Sequence, residues 1–203
     1  MLEASAAKPP MPGRKTATPP ASLGELRSVG MSEQAAAGVR VNVYGRGEAT
    51  VETGLPVLNR LLSRLAETAR FDLVLDIEPG DTQAEVEAAA AALGHALAGP
   101  LRAEGARGHG AGALTSAEAL AYVVLETSDE PLLVTNVDLT QARIGGLGTD
   151  VARRFLEVLA ENAGLVLHVR LLNGTDSGHV LEAIFKGLGA ALAEACERLE
   201  VRG

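Results

Sequence analysis

Gly54–Gly80, GLPVLNRLLSRLAETARFDLVLDIEPG, lies without a gap on Gly148–Gly174, GTDVARRFLEVLAENAGLVLHVRLLNG, when the chain is slid against itself by 94 residues. Ten of the 27 positions are identical, among them Gly54/Gly148, Arg60/Arg154, Leu65/Leu159, Ala69/Ala163 and Gly80/Gly174. One inserted residue later the match continues through Glu87/Glu182, Leu93/Leu188, Gly94/Gly189 and Leu97/Leu192. Self-similarity over such a length marks an internal duplication, and it constrains the fold more than any local propensity does.

Each copy holds the same succession of periods. Pro56 opens a helix to about Ala69, with Leu58, Leu61, Leu62 and Leu65 on one face, and residues 71–77 (FDLVLDI) then alternate like a half-buried strand. An alanine-rich helix follows Pro79-Gly80-Asp81 and runs to about Leu97. The second copy repeats this as a helix over 150–163, a strand over 165–172 and a helix over 178–200. Working outward, residues 39–44 (VRVNVY) and 48–53 (EATVET) read as a hairpin around Gly45-Arg46-Gly47. Residues 122–126 and 132–137 read as a second hairpin. Gly105–Gly112 (GARGHGAG) lacks the lysine of a phosphate-binding loop and reads as a flexible linker between the copies. The pattern predicts an α+β fold: a duplicated strand-strand-helix-strand-helix unit giving two sheets, each covered on one side by helices. The expected organisation is a Pro-rich disordered tail over 1–22, a first half over 23–100 and a second half over 101–203, both halves forming one domain.

Composition excludes several functions for a chain of 203 residues. Aromatics make up 2% and Trp is absent, so the core must come from Ala, Leu and Val, and the stacking platforms of single-strand nucleic-acid binders are missing. A net charge of −8 opposes phosphate wrapping, so no nucleic-acid partner is expected. No apolar run reaches the length of a membrane span, and no membrane partner is expected. The single cysteine, Cys196, removes disulfide frameworks and paired-cysteine metal sites, and fits a cytoplasmic location. There are four histidines: His95, His109, His168 and His179.

The duplication sets Glu87 and Glu182 at equivalent places early in the last helix of each half. His179 stands three residues before Glu182, so both can share a helix face, and His168 on the preceding strand could point the same way. Histidines and a carboxylate so spaced suit a metal ion of borderline hardness. The competing reading is a solvated helix start, where the dipole favours Glu. Lys186, four residues after Glu182, reads either as its ion-pair partner or as an anion contact, and Glu118 reads as a helical surface residue.

These segments together resemble the imidazoleglycerol-phosphate dehydratase family over about residues 39–195. Residues 42–47 (NVYGRG) resemble the family's N-L-D-G-x-G, and residues 53–60 (TGLPVLNR) resemble T-G-I-G-F-L-D-H. Residues 93–97 (LGHAL) and 118–120 (EAL) also fit, and residues 174–187 (GTDSGHVLEAIFKG) resemble G-x-N-x-H-H-I-I-E-A-x-F-K-A. The resemblance implies a ribosomal-protein-S5-domain-2-like fold and a histidine-biosynthesis enzyme. Such an enzyme holds two manganese ions through His-rich ligand sets contributed across subunits. It also implies a homo-oligomer of trimers that builds up to a 24-subunit shell.

Carried over position by position, only half of the implied ligands stand in this chain: Glu87, His168, His179 and Glu182. The histidine of L-D-H is Arg60 and its aspartate Asn59; the first H-H pair is Gln83-Ala84, and the second is Gly178-His179. Of the substrate-binding positions Lys186 and Glu118 are kept, whereas the two implied phosphate-contacting arginines are Gly108 and Glu130. The family's early T-x-E-T glutamate falls on Gln34. A fixed cation at Arg60 and a carboxylate at Glu130 exchange attraction for repulsion at a metal and at a phosphate. The expectation is therefore a non-catalytic family member with a structural or regulatory role, holding no metal or a single Mn or Zn ion. The alternative is an enzyme, either a working dehydratase or a one-metal lyase acting on another small substrate.

Overall fold

A computed structural model describes residues 38–137, 143–144 and 147–199, the segment 143–150 by its backbone only. The expected tail over 1–22 and Gln34 lie outside the described residues. Strand β1 (Val39–Asn42) and β2 (Ala49–Glu52) precede helix α1 (Pro56–Ala69), strand β3 (Asp72–Asp76) and helix α2 (Thr82–Leu101). Helix α1 starts on a proline, whose missing N–H costs nothing in the first turn, and buries Leu58, Leu61, Leu62 and Leu65. It ends where Arg70 turns left-handed, at φ 58°. Strand β3 alternates as read, with Leu73 and Leu75 buried.

The predicted first hairpin is not formed. Strand β3 lies between β1 and β2, antiparallel to β1 (Val41↔Leu73) and parallel to β2 (Val51↔Leu75). A helical crossover from β2 returns the chain parallel to it, and this places β3 in the space a hairpin partner would take. The loop over 45–47 accordingly bonds to the start of β3: the Asp72 carboxylate accepts the Arg46 N–H at 2.7 Å and the Glu48 N–H at 3.3 Å.

The second sheet has the order β4-β5-β9-β6, from β4 (His109–Ser116), β5 (Ala119–Thr127), β6 (Leu132–Thr135) and β9 (Leu165–Asn173). A two-stranded ribbon, β7 (Arg143–Ile144) and β8 (Leu147–Gly148), leads into helix α3 (Thr149–Ala163), and helix α4 (Ser177–Cys196) follows β9. The predicted second hairpin fails for the same reason as the first. Strand β9 separates β5 from β6, antiparallel to β5 (Val124↔His168) and parallel to β6 (Val134↔His168). The trios β1-β3-β2 and β5-β9-β6 thus share order and sense.

The second half of the stretch read as a linker, from His109 on, is strand β4. A side chain at Gly112 would meet the Gly187 carbonyl and come within 2.8 Å of the Ala190 Cβ, and one at Gly110 would meet the Ala191 carbonyl. These glycines let β4 press onto the backbone of α4, so close approach rather than flexibility explains them. Helix crossings use the same device. Gly94 of α2 lies against Leu159, Asn162 and Ala163 of α3, and its repeat counterpart Gly189 of α4 lies against Leu65 of α1. The core is built from Leu, Ala and Val as composition required, with Phe155 and Phe185 in contact at a centroid distance of 5.3 Å. No described helix is long and apolar enough to cross a membrane.

Candidate functional site

Two groups of the predicted residues come together, at different places. The first forms where the β4–β5 turn meets the start of α4. Ala117 turns left-handed at φ 46° and sets Glu118 in a tight turn, so Glu118 is not the helical surface residue expected. Its Oε1 accepts the N–H of Asp176 at 3.0 Å and of Thr175 at 3.4 Å, and Oε2 lies 2.6 Å from Nδ1 of His179. The Asp176 N–H foremost, then the residue's own N–H and the His179 ring, hold the Glu118 carboxyl down at about 2. Asp176 caps α4 by accepting the N–H groups of Gly178 and His179 at 2.9 and 3.0 Å. Lys186, two turns along α4, donates to the Thr115 carbonyl at 2.6 Å, so its pairing with Glu182 is not made. The carboxylate fixes which imidazole nitrogen faces it, leaving an oriented histidine two turns before the lysine on the same helix.

The second group joins α2 to α3. Asp81 caps α2 through the N–H groups of Gln83 and Ala84, at 3.1 and 3.0 Å. One turn on, Oε1 of Glu87 accepts from Nε2 of Gln83 at 3.0 Å and from Nε of Arg154 at 2.9 Å. Arg154 foremost, then Gln83, hold the Glu87 carboxyl below the usual carboxylate range. The counterpart carboxylate, Glu182, faces Nε of Arg64 at 3.8 Å.

His168 joins neither group. Strand β9 buries Leu165, Leu167 and Val169 toward the helices, so His168 occupies the opposite face of the sheet. There it lines an open cleft of about 370 Å³ with Tyr122, Val124, Val166 and Arg170. The expectation that it points the same way as His179 and Glu182 is corrected by this alternation. Among the described residues, no three of His, Cys, Asp and Glu come close enough to hold a metal. With both remaining carboxylates facing guanidinium groups, the residues of one chain do not fit a two-ion centre.

Two of the substituted positions, Asn59 and Gly108, have local structural roles. Arg60 and Ala84 are exposed on the first turns of α1 and α2. Asn59 accepts the Thr53 N–H at 3.1 Å and its hydroxyl at 2.6 Å, closing the β2–α1 turn. Gly108 has φ 69° and is held by the Ala195 and Thr127 backbones, while the Glu130 carbonyl accepts from, and its N–H donates to, the Ser128 hydroxyl within a turn. Sequence reading missed Arg154, Arg64 and Asp176 as partners. The Asp before a helix was a readable signal for Asp176, whereas nothing local links Arg154 to Glu87.

The family model "Imidazoleglycerol-phosphate dehydratase" matches residues 53–192. Imidazoleglycerol-phosphate dehydratase of Clostridium botulinum (strain Kyoto / Type A2) is 34% identical over 165 residues, 79% of this chain and 84% of that protein. The protein of the same name from Aromatoleum aromaticum is 39% identical over 166 residues, covering 79% and 85%. Among solved structures, imidazoleglycerol-phosphate dehydratase from Staphylococcus aureus superposes with a TM-score of 0.72 at 25% identity, over 79% of this chain and 94% of that one. The Pyrococcus furiosus structure, at 23% identity and a TM-score of 0.63, shares the fold over 82% and 94%.

Proposed function

The chain belongs to the imidazoleglycerol-phosphate dehydratase family, and from that premise we propose that it is a non-catalytic member with a structural or regulatory role in a homo-oligomer. One observation carries the reading: the two carboxylates that remain of the family's ligand set, Glu87 and Glu182, face Arg154 and Arg64. Around them Arg60, Gln83, Ala84 and Gly178 supply no imidazole, and Gly108 and Glu130 supply no cation for a phosphate. Two-metal chemistry depends on both ions holding the reacting groups. Loss of a single electrostatic contact of this sort costs about 2.7–4 kcal/mol in rate, and here several are missing at once. The assay is rescue of a strain that requires histidine because it lacks its dehydratase. Growth without histidine overturns the proposal; none is expected.

A second reading, an enzyme, is favoured by the Glu118–His179 pair at 2.6 Å with Lys186 on the same helix, and by relatives that are 34–39% identical and named as dehydratases. Its cofactor is one Mn or Zn ion; since His168 stands apart from His179, Glu87 and Glu182 within one chain, this reading requires those ligands to be shared between subunits of the assembly. Metal analysis separates the two: stoichiometric Mn or Zn lost on His168→Ala favours the enzyme, and no uptake after saturating addition favours the scaffold. The proposed assembly is trimer-based, up to a 24-subunit shell, from two halves (23–100 and 101–203) forming one domain. Light scattering that finds a monomer at micromolar concentration refutes that assembly. Neither nucleic acid nor membrane is proposed as a partner, and the proposed location is cytoplasmic.

A further inference from the structure

We infer that Arg154 is the chain's own counter-ion for Glu87, so that the α2–α3 corner is neutralised by a guanidinium instead of a metal ion. This deepens the non-catalytic reading and rests on it. A metal ligand must offer a lone pair, and the residue at position 83 now does the opposite: Gln83 presents an amide N–H to Oε1 of Glu87 at 3.0 Å. The same oxygen accepts Nε of Arg154 at 2.9 Å. Two donors occupy Oε1, and a divalent ion approaching the carboxylate, at that oxygen or at its neighbour Oε2, would be repelled by the guanidinium already beside it.

The guanidinium is held from its own side as well. Arg154 Nη1 lies 3.7 Å from Glu157, one turn along α3. On α2, Glu87 lies two turns before Gly94, hence on the face that packs closely against α3. The ion pair therefore spans a crossing whose backbones are already in contact, which keeps Arg154 opposite Glu87. The matching corner between α1 and α4 is looser. Glu182 lies two turns before Gly189, but its nearest cation is Arg64 at 3.8 Å, and Arg64 is drawn to Glu67 at 2.7 Å. The two halves have thus treated equivalent carboxylates differently: Glu87 is hydrogen-bonded to its guanidinium at 2.9 Å, and Glu182 faces its own only at 3.8 Å.

The test is thermal unfolding of the full chain with EDTA and with 1 mM (on the order of 100 Kd for a serviceable site) MnCl2, for the wild type, Glu87→Gln, Arg154→Met and the double variant. Each single variant is expected to lower Tm by about 1–4 °C, and the double variant no further than the lower single. Arg154→Lys keeps the charge and restores most of the loss, which guards against a merely misfolded variant. Mn2+ is expected to leave the wild type and Glu87→Gln alike. A Mn2+-dependent rise of roughly 5–10 °C in the wild type that Glu87→Gln abolishes overturns the inference, because Glu87 is then a ligand. A rise that survives Glu87→Gln supports Arg154 as the counter-ion and counts instead against the metal-free, non-catalytic reading.

Discussion

Replacing Gly189 with alanine tests the close approach of α4 to α1. A Cβ at Gly189 would stand 2.5 Å from the Leu65 carbonyl oxygen and 3.2 Å from its C and Cα, against an ordinary contact that begins at 3.4 Å. The obstacle is backbone inside a buried helix, so no side chain can rotate away, and α4 must withdraw from α1 by about 0.9 Å. With backbone as the obstacle, overpacking here takes the upper part of its usual range, about 2–3 kcal/mol. Alanine returns about 0.8–1 kcal/mol through its better helix propensity, so the net loss is about 1–2 kcal/mol. For a domain of this size that lowers Tm by roughly 2–8 °C. Gly99, in α2, provides the opposite case. A Cβ there meets nothing within 4 Å beyond its chain neighbours, but Pro100 follows and disfavours helical backbone at a residue that carries a side chain, so Gly99→Ala gains less than the full propensity and shifts Tm by less than about 2 °C. Gly94→Ala falls between, since its nearest obstacle is the Asn162 side chain at 2.8 Å, with backbone at 3.1 Å. Calorimetry of the three variants beside the wild type reads the order directly. If Gly189→Ala unfolds at or above the wild-type temperature, the close α1–α4 approach is wrong, and with it the account of why Gly94 and Gly189 match in the duplication.

The Glu118 carboxyl, held near 2 against an ordinary 4.5, adds stability that is fully present above pH 4.5 and is lost as pH falls from 4.5 toward 2. Urea midpoints across that window should decline in the wild type and be flatter in Glu118→Gln; equal slopes refute the contact with Asp176 and His179. Burial pushes the Cys196 thiol up to about 12, so a disulfide reagent at pH 8 should label the protein only as fast as it unfolds, and rapid labelling of the native state refutes the burial. Arg102 donates to the carbonyls of Ala163 at 2.7 Å, Gly164 at 3.0 Å and Ser128 at 3.0 Å, tying the end of α3 to the β5–β6 connection. Arg102→Ala should cost about 1–2 kcal/mol by denaturant unfolding. Arg102→Lys should recover less than half of that, because an ammonium cannot fork across three acceptors; full recovery shows that charge alone sufficed.

What could be read from the chain alone followed from local rules. The 3.6-residue period of Leu58, Leu61, Leu62 and Leu65, the alternation around Leu73 and Leu75, and the 94-residue repeat all specify which face of which element is apolar. Cap residues mark ends in the same local way, and Asp81 and Asp176 do begin α2 and α4. Periodicity, however, identifies a buried face without saying what covers it. Neighbours in sequence were therefore paired as hairpins, whereas the crossover through α1, and again through α3, inserts the later strand between them. Of the glycines over 105–112, Gly105 and Gly108 do use their freedom, at φ 80° and 69°, whereas the backbone of α4 behind Gly110 and Gly112 is what requires those two. Of the candidate site, the spacing of His179, Glu182 and Lys186 on one helix was legible, because a helix translates spacing into position. The partners were not. Glu118 reaches His179 across 61 residues, Arg154 reaches Glu87 across 67, and the strand alternation that buries Leu167 and Val169 turns His168 to the other side of the sheet. Chain order places a side chain on an element and on a face; which charge stands opposite it depends on how the elements pack, and only the tertiary structure decides that.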